Sequence, residues 1–239
     1  MENVIPVPPE SILTCGRIAV MCRHKNLGNS TMISNDFECE DKLNMYRATP
    51  CHRYLLALPL KPSHRGLLLV VGCNPSTADA NTDDPTLVKL RTWATFNGYS
   101  HLAVVNMFSY RETSPRKMKA AGTMTFLEGG GEVDLWIERA ASIASDIVLT
   151  MGDIAFKSWG NFRNPFHSTT ESGKTRRIRA RSRLVEIVDL IRREKQKESK
   201  IFAFCLTKAA FPGHILYLPN SLKSRDNWLD VTEHNFDAG

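Results

Sequence analysis

Three polar side chains lie near the ends of apolar segments of this chain, in positions where they could hold a polar ligand. Asn74 comes directly after the run Gly66–Cys73, Asn106 lies inside a second run, and His214 follows a later one. An asparagine amide carries a donor and an acceptor together, which hydrogen bonding to the edge of a pyrimidine or purine requires. Each residue also has a structural interpretation: a turn cap for Asn74, a buried amide satisfied by backbone for Asn106, and packing on Tyr217 for His214.

Pro75 indicates where the first of these apolar segments ends. Proline cannot donate to a strand ladder, so the strand that precedes it stops and the chain turns. In open α/β sheets, ligands bind at the carboxyl ends of the strands. We therefore expect a rigid turn to hold the Asn74 amide at that edge of a sheet.

The apolar segments alternate with amphipathic ones, which is typical of an α/β protein. Strands are predicted at Gly66–Cys73, His101–Phe108, Asp146–Met151 and Ile201–Leu206, and helices at Pro85–Asn97, Gly131–Ala144 and Arg181–Gln196. This order predicts a parallel sheet with helices on both faces. A further strand, His52–Leu60, lies too close to the next one for a crossover connection. We expect it to pair antiparallel at an edge of the sheet.

Composition sets the broad class of the protein. Residues 1–45 are irregular and polar and predict an N-terminal extension, whereas residues 46–239 predict a single domain. The formal charge of +6 and the pI of about 9.1 are compatible with an anionic partner. No apolar stretch approaches the roughly 18 residues of a membrane span, and no signal peptide is visible, so we expect a cytoplasmic protein without a membrane partner.

Cysteines and acidic residues leave a metal site open as an alternative. Four of the six cysteines fall within the first 51 residues, but their gaps are irregular and no CxxC occurs. Asp79, Asp83 and Asp84 could bind Mg²⁺ for nucleotide or phosphoester hydrolysis. Asp84 before Pro85 is better explained as a helix N-cap, and Asp79 could face the site. We expect no metal and no cofactor.

The three polar residues lie in short motifs that resemble the uracil-DNA glycosylase superfamily. Gly72-Cys73-Asn74-Pro75 is similar to its first motif, Asn106 to its base-reading position, and Gly213-His214 to its late loop. Residues 50–220, with Asn-Pro-Ser-Thr-Ala-Asp from Asn74, also resemble an uncharacterised bacterial and phage family. The glycosylase resemblance implies a three-layer α/β/α sandwich around a central, mainly parallel four-stranded sheet.

The resemblance also implies a reaction, the hydrolysis of an N-glycosidic bond in DNA by a monofunctional glycosylase. Asn74 would position the water, Asn106 would bind the flipped base and His214 would donate to the leaving base. Asp79 joins the catalytic set and Phe108 the base-binding set. An asparagine in place of aspartate at the water position implies weaker activation.

Ser76 departs from the superfamily pattern and bears on the substrate. Uracil-specific members carry a tyrosine after the proline, whose ring excludes substituents at the pyrimidine C5 position. Ser76 leaves space there, so the resemblance implies a 5-substituted pyrimidine as substrate, in DNA repair or in defence against phage with modified DNA. A non-catalytic module that binds modified nucleic acid stays open as an alternative.

A dense basic run predicts where DNA would bind. Lys174–Arg183 holds six basic residues in ten, and one-signed charge of this density suits phosphate contacts, although such runs also form solvated faces. We expect DNA as the partner and no obligate protein partner. The residues assigned to DNA binding are Arg176, Arg177, Arg179, Arg181 and Lys208.

Overall fold

The computed structural model describes most of the chain from Met45 onward. The described residues are 45–49, 51–75, 84–112, 131–152, 162–163, 170–171, 173–208 and 210–236. For residues 45–47, 162–163, 170–171 and 173–182, the description is limited to the backbone. All described residues fall within one compact unit, Leu43–Gly239. The expected extension lies outside them, apart from its last residue.

The described residues form strands and helices in alternation. The strands are β1 (Met45–Ala48), β2 (Arg53–Pro59), β3 (Arg65–Gly72), β4 (Tyr99–Asn106), β5 (Ala144–Thr150), β6 (Phe162–Arg163), β7 (Thr170–Glu171), β8 (Lys200–Ala203) and β9 (Leu229–Asp230). The helices are α1 (Pro85–Phe96), α2 (Glu132–Ile143) and α3 (Gly173–Glu194). Short 3₁₀ turns follow β8 at Ile215–Tyr217, Asn220–Leu222 and Arg225–Asn227. This mixed α/β organisation confirms the expected class.

The main sheet has seven strands in the order β1-β2-β4-β3-β5-β8-β9 and is wider than the four strands expected. β4, β3, β5 and β8 run parallel to one another, whereas β1 is antiparallel to β2, β2 to β4 and β9 to β8. β2 is antiparallel as expected, and its partner is β4. The expectation that it lies at an edge was wrong. β1 covers its other side, because the backbone N–H of Thr49 donates to the His52 carbonyl at 2.8 Å and closes a hairpin.

Both faces of the central strand β3 are buried. Leu68 and Val70 of β3 pack with Leu90 and Trp93 of α1 in one apolar cluster. Side chains alternate between the two faces of a strand. Leu67, Leu69 and Val71, which point to the opposite face, are buried as well. α2 contacts β2, β3, β4 and β5 and packs against α3. A continuous Leu/Val run is stable in β3 because helices exclude water from both of its sides.

Both ends of α1 follow capping rules. The Asp84 Oδ1 accepts a hydrogen bond from the Leu87 N–H at 2.7 Å, and Pro85 occupies the first helical position, which confirms the N-cap interpretation. Gly98, with φ of +76°, ends α1 as a C′ glycine.

α3 begins at Gly173 rather than at the expected Arg181, so the backbone of the basic run Lys174–Arg183 is helical. Lysine and arginine are good helix formers and extend a helix without apolar periodicity.

A buried carboxylate at the amino end of β5 joins the sheet to the C-terminal segment. Asp146 accepts hydrogen bonds from the Tyr99 hydroxyl at 2.6 Å and from Arg225 Nε and Nη2 at 2.8 and 2.9 Å. Burial, and then the hydrogen bond to Asp146, raises the pKa of Tyr99. Because a buried carboxylate needs such partners, Arg225 holds the chain after β8 against the sheet.

This network predicts a large effect of a small change at Asp146. Asp146→Asn keeps the shape of the side chain but leaves Arg225 without its counter-charge, and we expect the free energy of unfolding to fall by roughly 3 kcal/mol. Urea unfolding provides the measurement. Asp226→Asn, at an exposed carboxylate beside Arg225, is the matched control and should change stability by less than about 0.5 kcal/mol. Equal effects of the two variants would contradict a special role for Asp146.

Candidate functional site

Three neighbouring parallel strands end at the same level. In the register of the sheet, Gly72 of β3 lies opposite Asn106 of β4 on one side and Thr150 of β5 on the other. These residues therefore form a row at the carboxyl edge of the sheet, with adjacent strands about 4.8 Å apart. Asn74 lies two residues beyond Gly72, and the segment that carries His214 bonds to Thr150. The sequence expectation that these residues share one edge is consistent with this register.

Asn106 is a buried amide that the protein does not satisfy. The residue is 3% exposed, and its Nδ2 has no hydrogen-bond partner among the described residues. Its Oδ1 lies against Gly72, where an added Cβ would come within 2.7 Å of it. Leaving a buried polar atom unpaired costs about 1–3 kcal/mol. The backbone-satisfied interpretation is thus wrong for Nδ2, which can donate to an acceptor that is not part of the described protein.

Asn74 is held by its amide nitrogen. Nδ2 donates to the Glu112 carbonyl at 2.5 Å and to the Pro75 carbonyl at 3.3 Å. The Glu112 N–H in turn donates to the Pro75 carbonyl at 3.2 Å, which ties the segment after β4 to the turn after β3. With the amide nitrogen engaged, the Oδ1 of Asn74 is the atom that can accept a hydrogen bond from water or ligand.

Residues 107–112, which follow Asn106, are fixed from two sides. Arg183 Nε donates to the Met107 carbonyl at 3.3 Å, and its guanidinium forms a two-point ion pair with Asp134 of α2. The backbone N–H of Phe108 donates to the Cys73 carbonyl at 2.9 Å. Arg183 is 4% exposed, so the last arginine of the basic run serves the fold rather than a phosphate contact.

A histidine–serine pair supports the same segment and was not among the expected site residues. His52 Nδ1 and the Ser109 hydroxyl are 2.8 Å apart, and the Arg53 N–H donates to the Ser109 carbonyl at 2.8 Å. The rings of Tyr54 and Tyr110 pack against His52 at 6.0 and 5.7 Å. Ser109 is fully buried and is not accessible as a nucleophile, so the pair is structural. Burial lowers the pKa of His52.

The segment before and after His214 is anchored at the end of β5. The Thr150 hydroxyl donates to the Gly213 carbonyl at 3.0 Å and accepts from the Ile215 N–H at 2.8 Å. The Gly152 N–H donates to the Pro212 carbonyl at 2.7 Å. Gly152 has a φ of +68°, and an added Cβ there would lie 2.9 Å from the His214 Cβ. Glycine is therefore required at position 152 both by the backbone conformation and by the close approach.

The imidazole of His214 has a defined hydrogen-bonding pattern. The Leu216 N–H donates to Nδ1 at 3.3 Å, so Nδ1 acts as an acceptor and the neutral ring carries its proton on Nε2. Burial lowers the pKa of His214 below its ordinary value of 6.5, and Lys89 acts in the same direction, whereas Asp84 raises it. The ring is accordingly neutral at pH 7 and offers Nε2–H as a donor. It also packs on Tyr217, as expected, at 5.6 Å.

Lys89 of α1 completes the anchoring of this segment. Its Nζ donates to the Leu218 carbonyl at 2.6 Å and approaches the Leu216 carbonyl at 3.4 Å. Neither Lys89 nor Thr150 was among the expected site residues. A threonine at the end of a predicted strand, followed by Met-Gly, was a signal for Thr150, whereas one lysine on the polar side of a helix gives no such signal.

Only some of the remaining expected site residues are described by the structure. Phe108 is completely buried, and Lys208 is exposed on the turn that follows β8. The backbone of Arg176, Arg177, Arg179 and Arg181 is helical within α3, but their side chains lie outside the described part of the structure. Ser76, Asp79 and Asp83 also lie outside it.

The described ranges contain no cluster of metal-binding side chains. Within them, no group of three or more histidine, cysteine or acidic side chains is arranged to hold a metal ion. Every helix within those ranges is too short or too polar to cross a bilayer. The described part of the carboxyl edge is thus lined by amides, a hydroxyl and a neutral imidazole, which are groups suited to hydrogen bonding with a neutral or weakly anionic ligand.

The close approach at Gly72 predicts that an added methyl group would disturb Asn106. In Gly72→Ala the new Cβ would overlap the Asn106 Oδ1, and we expect a displaced side-chain amide resonance in ¹⁵N NMR spectra and a stability loss of roughly 1–3 kcal/mol. Gly66→Ala, in the same strand, is the control, because its Cβ would meet only the Ser145 hydroxyl, which can rotate away. Similar spectra and stabilities for both variants would argue against the tight contact.

The unpaired amide predicts that Asn106 does not stabilise the fold. Asn106→Leu should leave the free energy of unfolding unchanged or raise it by about 1 kcal/mol, because an unsatisfied polar group is removed. Asn97→Leu is the matched control: its amide bonds to the Trp93 and Lys223 carbonyls and to the Arg225 N–H. That variant should lose roughly 3 kcal/mol. A comparable loss in Asn106→Leu, measured by urea unfolding, would identify Asn106 as a structural residue.

Comparison with known proteins shows which family this chain belongs to. Searches of curated proteins and of solved structures found no match. Residues 53–216 match the family described as "Protein of unknown function (DUF1643)". The matched range runs from the start of β2 through the His214 segment and so includes Asn74, Asn106 and Thr150. Because it covers more than half of the 239 residues, this chain belongs to the DUF1643 family.

Proposed function

We propose that this protein is a DNA glycosylase-like hydrolase that cleaves the N-glycosidic bond of a modified, 5-substituted pyrimidine in DNA. The observation that carries the proposal is the unpaired Nδ2 of Asn106, buried at the same edge of the sheet as Asn74. A hydrogen-bond donor that is buried without a partner lowers the stability of the fold, and such a donor suits a ligand with a matching acceptor. A pyrimidine that is flipped out of the duplex presents such acceptors on its edge.

The reaction assigns a separate role to each side chain. The bond between the sugar C1′ and the base nitrogen breaks, and its electron pair leaves with the base, so that positive charge develops on the sugar. The oxygen of a water molecule then bonds to C1′, and its proton passes to solvent. Asn74 accepts a hydrogen bond from this water through Oδ1, because its Nδ2 is held by the Glu112 carbonyl.

The departing base is stabilised by two donors. Asn106 Nδ2 donates to an acceptor on the base edge, and the neutral His214 donates from Nε2 to the oxygen on which negative charge collects. Donors that are already oriented before the reaction stabilise developing charge without reorganisation. A neutral imidazole can fill this role, because it keeps one N–H donor, on Nε2, while burial holds the His214 pKa low.

The fold is consistent with the same proposal at a finer level. β4, β3, β5 and β8 form a run of four parallel strands with buried residues on both faces. We propose that this core is the three-layer α/β/α sandwich of the uracil-DNA glycosylase superfamily. The antiparallel strands β1, β2 and β9 are then additions at its two edges.

Substrate choice and DNA contact extend the proposal to further residues. Ser76 would leave space beside C5 of the pyrimidine, Asp79 would assist catalysis and Phe108 would pack near the base. The phosphate contacts would come from the basic first half of α3, with Arg176, Arg177, Arg179 and Arg181, and from Lys208, which is exposed. The setting would be DNA repair or defence against phage with modified DNA. The steps assigned to Asn74, Asn106 and His214 need no metal and no cofactor.

The proposal predicts a large kinetic effect at Asn74. Asn74→Ala removes the acceptor that orients water, and we expect base release to slow on the order of a hundredfold while DNA binding is kept. The measurement is mass spectrometry of bases released from DNAs that contain uracil, 5-hydroxymethylcytosine or glucosylated cytosine. Asn220→Ala, at an exposed asparagine, is the control and should match the wild type.

The same assay separates the competing functions. Base release that persists in EDTA supports a glycosylase, whereas activity lost in EDTA and restored by Mg²⁺ indicates the metal-dependent phosphoester enzyme. If the wild type binds modified DNA but releases no base, and Asn106→Leu abolishes that binding, the protein is a non-catalytic binding module. Unchanged base release by a folded Asn74→Ala variant would remove Asn74 from the mechanism.

A further inference from the structure

We infer that Thr150 is a positioning residue, whose hydroxyl sets the orientation of the His214 imidazole. The inference rests on the proposed function only in the role it gives to His214, as the donor to the departing base. The geometry itself is independent of any substrate. Thr150 is 2% exposed and ends β5 in the same row as Gly72 and Asn106.

One oxygen atom bonds to the backbone on both sides of the histidine. The Thr150 hydroxyl donates its proton to the Gly213 carbonyl at 3.0 Å and accepts from the Ile215 N–H at 2.8 Å. These bonds fix the peptide groups that precede and follow His214. Because Gly213 and Ile215 are buried, loss of the hydroxyl would leave their backbone groups without this partner.

The backbone position determines what the imidazole can do. The Leu216 N–H donates to Nδ1 only while the backbone from His214 to Leu216 keeps its conformation. This hydrogen bond leaves the proton of the neutral ring on Nε2. A loosened segment would allow the ring to rotate and to exchange the proton between its nitrogens. Thr150 thereby acts on the donor direction and the tautomer of His214 without contacting a substrate.

Other contacts keep the segment on the protein when the hydroxyl is absent. The Gly152 N–H still donates to the Pro212 carbonyl, the Gly213 N–H to the Cys205 carbonyl at 2.8 Å, and Lys89 to the Leu218 carbonyl. The threonine therefore adjusts the segment rather than creating it. Among the described residues, the ionisable groups around the imidazole are Asp84, which caps α1, Lys89 within α1, and Tyr217, whose ring packs on it. All three are unchanged in Thr150 variants.

The test compares Thr150→Val, which keeps the shape but removes the hydroxyl, with Thr150→Ser, which keeps the hydroxyl. NMR of the His214 ring, in the full chain and without DNA, gives its pKa and tautomer. We expect the pKa in Thr150→Val to rise toward the ordinary value of 6.5 and the tautomers to mix, and both properties to return in Thr150→Ser. If Thr150→Val does not fold, Thr150→Cys, whose thiol is a weak hydrogen-bonding group, replaces it.

Base release on a modified DNA then tests the catalytic consequence. We expect kcat to fall on the order of ten- to a hundredfold in Thr150→Val with little change in KM, and to recover in Thr150→Ser. An identical His214 pKa and tautomer in wild type and a folded Thr150→Val variant would overturn the inference. If the NMR properties change as expected but even the wild type releases no base, Thr150 still positions His214 and only the proposed glycosylase activity fails.

Discussion

The parallel register of β3 between β4 and β5 is the constraint on which the candidate site depends. It sets Gly72, Asn106 and Thr150 side by side, although they are separated by long stretches of sequence. Parallel strands end at one edge of a sheet, so residues beyond each strand must meet there. The absence of a side chain on Gly72 then allows the Asn106 amide to lie against the β3 backbone, where an added Cβ would overlap it. A slip of one residue in this register would direct Asn106 to the opposite face and dismantle the row.

The site is built on backbone that is itself held by side chains from elsewhere. Arg183 of α3 bonds to the carbonyl of Met107, and Asn74 bonds to that of Glu112, so the segment after β4 is fixed at both ends. Thr150 and Lys89 do the same for the segment that carries His214. Polar groups that bind a ligand need such support, because a loop without it samples several orientations and binds poorly.

The buried polar groups at the two ends of the parallel strands differ in whether they have hydrogen-bond partners. At the amino edge, Asp146 is buried but satisfied by Tyr99 and Arg225, which joins the C-terminal segment to the fold. At the carboxyl edge, Asn106 is equally buried but its Nδ2 has no partner among the described residues. The difference is informative, because folding alone selects satisfied polar groups. The proposed function accounts for this difference, because it gives the Asn106 Nδ2 a ligand acceptor as its partner.

The sequence by itself determined the order of the central strands and helices, the N-cap at Asp84, the glycine at the end of α1 and the candidates Asn74, Asn106 and His214. These features are local: they follow from apolar periodicity, proline and glycine punctuation, and capping chemistry. Only the tertiary structure decided that β1 covers β2, that Arg183 is an internal ion-pair partner rather than part of a charged surface, and that Thr150 holds both sides of His214. The reason is that these contacts join residues far apart in the chain, and no local pattern records which distant carbonyl or carboxylate a hydroxyl or guanidinium will reach.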